Sequence, residues 1–194
     1  MVSKVEAKEQ IKLLIERSKE GIAKLGLNFY KEEQTCNALI LPLFEILGWS
    51  HKNALDEIES QSKTGRKRID YLVRLNGNPI FVLEAKGLDQ IIKNNHDYYK
   101  QTIHYGDNKS VTWGILTNFK EFIVINCEVV RENIILNEVK SINLFEDFDE
   151  EKFEFLWTFS KESFQNPVKL DELNKKFLGV KKREKIGKRL LSDL

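Results

Sequence analysis

An apolar run, Ile80-Phe-Val-Leu-Glu-Ala-Lys86, carries an acid and a base two residues apart. A second acid, Asp70, lies just upstream in Arg68-Ile-Asp-Tyr-Leu-Val-Arg-Leu75. Charge is rare in strands that read as buried, because desolvating an unpaired carboxylate or ammonium is expensive. Two carboxylates and an ammonium meeting on adjacent strands make a place where a divalent metal and a water can be held. That arrangement serves hydrolysis of a phosphodiester.

Strand geometry sets a condition. Glu84 and Lys86 are i and i+2 and share a face. Asn76-Gly77-Asn78 marks a hairpin between the two strands. A two-residue turn at Asn76-Gly77 pairs residues whose numbers sum to 153 and sets Asp70 opposite Leu83. A three-residue loop gives a sum of 154 and sets Asp70 opposite Glu84. A one-residue slip moves every side chain to the other face. A convergent site therefore requires an odd-numbered loop or a β-bulge.

Given convergence, the roles follow from charge. Asp70, Glu84 and a backbone carbonyl such as that of Ala85 offer the hard oxygens that Mg²⁺ prefers, with waters completing the octahedron. Lys86 would orient or deprotonate the attacking water and offset charge building on the phosphate. Its neighbouring carboxylates favour the protonated ammonium. The plainer alternative is a cross-strand ion pair.

The elements that would position these groups can be read from periodicity. Ser3-Lys-Val-Glu6 has capping-box spacing and opens a helix to about Lys24, ending near Gly26. A denser apolar repeat from Cys36 to Leu47 predicts a more buried helix stopped by Gly48, with a kink or break at Pro42. A weak strand covers about Leu55 to Gln61, followed by the hairpin strands. Both faces of that hairpin are apolar: Ile69, Tyr71, Val73 and Leu75 on one, and Leu72, Ile80 and Val82 on the other. That pattern predicts a central sheet covered on both sides in an α/β layer arrangement. A helix follows from about Asp89 to Tyr105, then strands at Val111–Thr117, Phe122–Ile125 and Glu132–Val139. An aromatic helix from Phe153 to Phe164 and a charged helix beyond Pro167 complete the reading.

Taken together these segments resemble the PD-(D/E)-x-K nucleases in their E-x-K form. Glu32-Glu-Gln-Thr35 leading into Ala38-Leu-Ile-Leu-Pro-Leu-Phe-Glu-Ile-Leu-Gly-Trp49 is similar to the opening helix of the N-terminal nuclease domain in type I restriction R subunits and type IIG restriction-modification enzymes. Gln101-Thr-Ile-His-Tyr105 matches their Q-x-x-x-Y motif, and Trp113-Gly-Ile-Leu-Thr-Asn118 resembles the strand after it. The resemblance covers about residues 30 to 126 in the family's order. It departs at Ile69, where proline is usual, and at Phe119, where many relatives have glycine.

The resemblance implies a restriction-endonuclease-like α/β core, a central mixed β-sheet flanked by helices, with N-terminal helices and a C-terminal helical extension. It implies a nuclease domain over residues 1–165, with its core at about 28–140, and a charged helical extension or linker over 166–194. The implied activity is Mg²⁺-dependent DNA endonuclease chemistry leaving a 5′-phosphate and a 3′-hydroxyl, with Mn²⁺ able to replace Mg²⁺. Asp70 and Glu84 would ligate metal with the Ala85 carbonyl, Lys86 would position the nucleophile, and Glu32 would assist at the metal. Gln101 and Tyr105, one helical turn apart, would contact DNA, as would the basic cluster Lys63, Arg66, Lys67 and Arg68. Expected partners are double-stranded DNA, methyltransferase, specificity or translocase domains in the same or a partner chain, and a transient dimer on DNA. A RecB-like repair nuclease and a non-catalytic DNA-binding or assembly module are the alternatives.

Composition is compatible with this. The chain of 194 residues has a formal net charge of +1, which excludes a uniformly basic nucleic-acid binder but not a local phosphate-binding patch. No apolar stretch approaches the roughly 20 residues that span a bilayer, so no membrane role is expected. The two cysteines, Cys36 and Cys127, are expected to be buried free thiols in a cytoplasmic protein. Three histidines have no zinc-site spacing.

Overall fold

The structure is a computed structural model that describes residues 3–51, 57–60, 70–128 and 131–166. Helix α1 (Lys4–Leu25) begins at the expected capping box: Ser3 Oγ accepts from the Glu6 N–H, and Glu6 Oε2 accepts from the Ser3 N–H at 2.9 Å. It buries Ala7, Ile11 and Ile15 and stops at Gly26.

A second helical run joins α2 (Glu32–Thr35), a π-helical stretch (Cys36–Ile40) and α3 (Leu41–Ile46). The expected kink at Pro42 takes another form. Proline lacks an N–H and crowds the carbonyl four residues back. The helix widens just before it, and the Leu41 N–H reaches the carbonyl of Cys36.

Among the described residues six strands form one sheet in sequence order: β1 (Ile58–Ser60), β2 (Tyr71–Leu75), β3 (Asn78–Ala85), β4 (Trp113–Thr117), β5 (Glu121–Asn126) and β6 (Glu138–Asn143). Only β3 and β4 pair in parallel. Helix α4 (His96–Asn108) connects them, as a parallel crossover requires. This is the expected α/β arrangement of a mixed sheet flanked by helices.

The larger core lies on the face covered by α1, the second helical run, α5 (Glu150–Trp157) and α6 (Lys161–Gln165). Phe81 is its centre, in ring contact with Phe44, Trp49, Phe159 and Phe164. Helix α4 covers the other face over Leu72, Val82, Leu116 and Ile123.

The hairpin meets the register condition through a bulge. Asn76 (φ 52°) and Gly77 (φ 79°) form a two-residue turn, and Leu75 pairs with Asn78 and Arg74 with Pro79. The register then shifts, so that Val73 pairs with Phe81, Leu72 with Val82 and Tyr71 with Leu83. Ile80 is the extra residue. It packs with Phe81 against the larger core, which corrects its expected placement beside Leu72 and Val82. Continuing the shifted register by one residue sets Asp70 across from Glu84.

Several boundaries differ from expectation. Helix α4 starts at His96 and not near Asp89, because residues 87–95 are turned: the Gln90 N–H bonds the Gly87 carbonyl, Asn94 has φ 59°, and Asn95 caps the helix. The strand expected at Glu132–Val139 lies at Glu138–Asn143, after a 3₁₀ turn (Ile134–Asn137) capped by Asn133. The aromatic segment forms two helices because the Ser160 hydroxyl caps α6. Of the first expected strand residues 57–60 are described, and Ile58–Ser60 form β1. Lys63, Arg66, Lys67, Arg68 and the extension from Pro167 onward lie outside the described residues. Among the described residues no helix is long and apolar enough to cross a membrane. Cys36 and Cys127 are buried free thiols, and burial pushes each thiol up to about 12.

Two glycines let α4 lie close to the sheet. A Cβ on Gly114 of β4 would meet Thr102 Cγ2 of α4 at 2.4 Å and Cys127 Sγ at 2.9 Å; one on Gly106 would meet Cys127 Sγ at 2.4 Å. Gly114→Ala should therefore lower stability by about 2 kcal/mol through overpacking, read as a lower urea midpoint with an unchanged slope.

Candidate active site

The site is assembled on the α4 face of the sheet, at the end of β3. Glu84 is wholly buried there and Lys86 nearly so. Asp70, just before β2, comes alongside and accepts the Ala85 N–H on Oδ2 at 2.9 Å. The Lys86 ammonium donates to Glu84 Oε1 and, at 3.0 Å, to the Ala85 carbonyl. It lies 3.8 Å from Asp70 Oδ2 and 3.9 Å from Glu32 Oε2. Four of the residues singled out in the sequence thus converge on one ammonium.

Glu32 arrives from the first turn of α2, and local contacts explain how. Thr35 Oγ1 donates to the Tyr30 carbonyl and accepts the Leu88 N–H at 3.0 Å, tying α2 to the segment that follows Lys86. The Leu88 N–H also reaches the Tyr30 carbonyl at 3.0 Å. Gly87 allows this approach: a Cβ there would sit 3.1 Å from the Glu32 nitrogen and 2.5 Å from Asp89 Oδ1. Lys31 pairs with Asp89 across the same junction. Glu33, adjacent in sequence, is exposed and is not among the groups around Lys86.

Helix α4 supplies the remaining side. Gln101 donates its amide to Glu84 Oε1 at 2.6 Å, so in this structure it holds a carboxylate. Tyr105, one turn on, is buried with Leu72, Val82 and Val111. The start of α4 is fastened to β6 by Glu138, which accepts from both Tyr99 and Lys93.

Electrostatics mark Glu84 as the unusual group. Burial, and then the nearby charge of Asp70, push its carboxyl up to about 8, against the opposing pull of Lys86. Burial alone would lower the Lys86 ammonium; Glu84, Asp70 and Glu32 together outweigh that and raise it.

While Glu84 Oε1 takes two donors, its Oε2 is buried with no hydrogen-bond partner among the described residues. A buried carboxylate oxygen left without a donor is costly, and a metal ion is one of the few groups that would satisfy it. Asp70, Glu84 and the Ala85 carbonyl are hard oxygens of the kind Mg²⁺ takes. Among the described residues no three His, Cys, Asp or Glu side chains form a closed metal site. Two carboxylates with waters are nevertheless the usual Mg²⁺ complement. The residues present fit that ion.

Sequence reasoning missed Thr35, Gly87 and Tyr98. Thr35 stood inside the quoted helix motif without a role. Tyr98 lies one turn before Gln101, a spacing that would have put it on the same face. Phe119, where the resemblance leads one to expect glycine, adopts φ 71° with its ring fully buried, so the turn keeps a left-handed residue without the glycine.

Comparison with known proteins is consistent with this geometry. Residues 53–133 match the family model described as the type I restriction enzyme R protein N terminus. The chain is also 26% identical over 132 residues to the type II restriction enzyme and methyltransferase RM.Eco57I of Escherichia coli. That alignment covers 62% of this chain and 13% of the relative, so the chain spans a small part of that protein's length. No solved structure matches. The segment that supplies Asp70, Glu84, Lys86, Gln101 and Tyr105 is thereby matched to the N-terminal family of type I restriction enzyme R proteins, and the resemblance read from the sequence holds over it.

Proposed function

We propose that this chain is the nuclease domain of a restriction system and hydrolyses DNA phosphodiesters with Mg²⁺. The observation that carries the reading is the convergence of Asp70, Glu84, Lys86 and Glu32, with one buried Glu84 oxygen lacking a donor. When bound, the metal would polarise the scissile phosphate and lower the pKa of a coordinated water.

The chain's own residues do the rest. Asp70, Glu84 and the Ala85 carbonyl would hold the ion. Gln101 fixes the Glu84 carboxylate so that Oε2 stays turned from the amide. Lys86 orients the attacking water and balances charge on the phosphate, and Glu32 steadies Lys86 from α2. Tyr105 and the Lys63, Arg66, Lys67 and Arg68 cluster would engage the DNA backbone.

Each site cuts one strand, so a double-strand break calls for two copies meeting on DNA. Sequence recognition and any methyltransferase or translocase function belong on this reading to other domains or subunits, in line with the restriction-methyltransferase relative.

Plasmid nicking tests this directly. The wild type should nick with Mg²⁺ or Mn²⁺ and not in EDTA, and Asp70→Ala and Lys86→Ala should each lose about 100-fold or more. Equal activity in all three proteins would overturn the assignment. Gln101→Ala should weaken apparent Mg²⁺ affinity by about tenfold, as loss of an orienting partner does, in a metal titration of the same assay.

Metal-free stability supplies a further check. The Glu84 carboxyl, at about 8 when folded and 4.5 ordinarily, holds its proton more tightly in the native state. Its contribution is most favourable below 4.5 and is lost as pH climbs toward 8. Glu84→Gln removes this dependence, so relative to wild type it should gain on the order of 2 kcal/mol between pH 6 and pH 8 in EDTA, measured by urea unfolding. A difference that does not change with pH would contradict it.

A further inference from the structure

Tyr98 lies in none of the sequence motifs, yet the face of its ring is turned to the Lys86 ammonium, 5.2 Å from Nζ to centroid. That is within cation–π reach, which extends to about 6 Å. The contact is largely dry, since the Lys86 side chain is only 10% exposed. Tyr98, Gln101 and Tyr105 stand at i, i+3 and i+7 on α4 and form one line along the site.

The ring is fixed from two directions. The Tyr98 N–H donates to the capping Asn95 Oδ1 at 3.3 Å, and its hydroxyl donates to Gln90 Oε1 at 3.4 Å. Gln90 is itself held, its N–H on the Gly87 carbonyl at 2.9 Å and its carbonyl accepting from Asn118 Nδ2 at 2.9 Å.

Lys86 otherwise depends on oxygens. Glu84 Oε1, the Ala85 carbonyl and Asp70 Oδ2 all attract it, and these groups are the proposed metal ligands. An aromatic face attracts a cation without offering a lone pair to a hard metal. Its hold on the ammonium therefore does not compete with ligation, unlike that of the carboxylates Glu84, Asp70 and Glu32.

We propose that Tyr98 is a positioning residue for the proposed nuclease reaction, its ring face keeping the Lys86 ammonium beside the attacking water through the contact at 5.2 Å. The proposal rests on the role given to Lys86 above.

The test compares Tyr98→Phe, Tyr98→Leu and Tyr98→Met in full-length protein by Mg²⁺-dependent nicking and by NMR of the Lys86 ε-methylene, assigned by its disappearance in Lys86→Arg. In wild type that methylene should show an upfield ring-current shift. Tyr98→Phe should keep the shift and stay within about threefold of wild-type kcat. Tyr98→Leu and Tyr98→Met should lose the shift and about tenfold in kcat, with KM for DNA within about twofold, as expected for a lost cation–π contact. Should Tyr98→Leu fail to fold, Tyr98→Met carries the comparison alone.

A phenylalanine variant as impaired as the leucine one would overturn the proposal, because the hydroxyl tether would then be what matters. So would an active Tyr98→Leu with wild-type kcat, or a Lys86 shift that survives loss of the ring; these outcomes leave the nuclease reading intact. A wild type that does not nick overturns the nuclease reading, and this role with it.

Discussion

A carboxyl group buried in a sheet covered on both faces is the constraint from which the rest of this structure follows. Glu84 is fully buried, paired across to Leu116 in the parallel ladder, and would be a serious liability if left alone. Its surroundings offset only part of that cost. One oxygen receives an ammonium and an amide, the other receives no donor among the described residues, and a second carboxylate stands nearby. Strongly perturbed groups of this kind concentrate where chemistry is done, because stability alone would favour replacing them with apolar side chains. Every element around the site can be understood as bringing a partner to Glu84 or to the Lys86 ammonium.

Those partners come from four separate places, and each delivery has a local cause. Lys86 follows directly on the end of β3. Asp70 arrives because one extra residue, Ile80, changes the parity of the hairpin; without the bulge it would pair opposite Leu83, on the face filled by phenyl rings. Glu32 arrives because α2 is tied by Thr35 to the chain beyond Lys86, over a glycine with no room for a side chain. Gln101 arrives because α4 packs on Gly114 at a distance that excludes a methyl group. Small residues and one bulge set the spacing, while charged residues fill it.

Much of this was legible in the sequence, and the failures have physical reasons. The charged residues in apolar strands, the Asn-Gly turn and the demand for an odd loop or a bulge could all be read, since each depends on short-range geometry. Where the bulge would fall was also signalled, by Pro79, which cannot donate to a ladder and is tolerated in strands at bulges and edges. The start of α4 was misplaced because Leu88, Ile91 and Ile92 imitate helical spacing. In the fold Ile92 is buried while Ile91 is exposed in irregular chain, and Asn95 caps the helix. The break before α6 was hidden for a similar reason, with aromatic periodicity continuing across the Ser160 cap. Contacts such as Tyr98 with Lys86 join elements whose relative distance no periodicity specifies.

Charge balance links the site to its proposed substrate. Asp70, Glu84 and Glu32 surround a single ammonium, so with the carboxylates ionised the cluster carries a net charge of −2. Protonation of Glu84 reduces this but leaves it negative. A phosphodiester is an anion, and at a few ångströms in a poorly solvated pocket like charges repel by several kcal/mol. The residues alone are therefore not complementary to DNA. A divalent cation held by Asp70 and Glu84 would bring the cluster to neutrality, and it would supply the orphaned Glu84 oxygen with a partner. On the proposed reading, one ion answers both the repulsion of phosphate and the unsatisfied buried oxygen, which ties substrate binding to metal binding through the same two side chains.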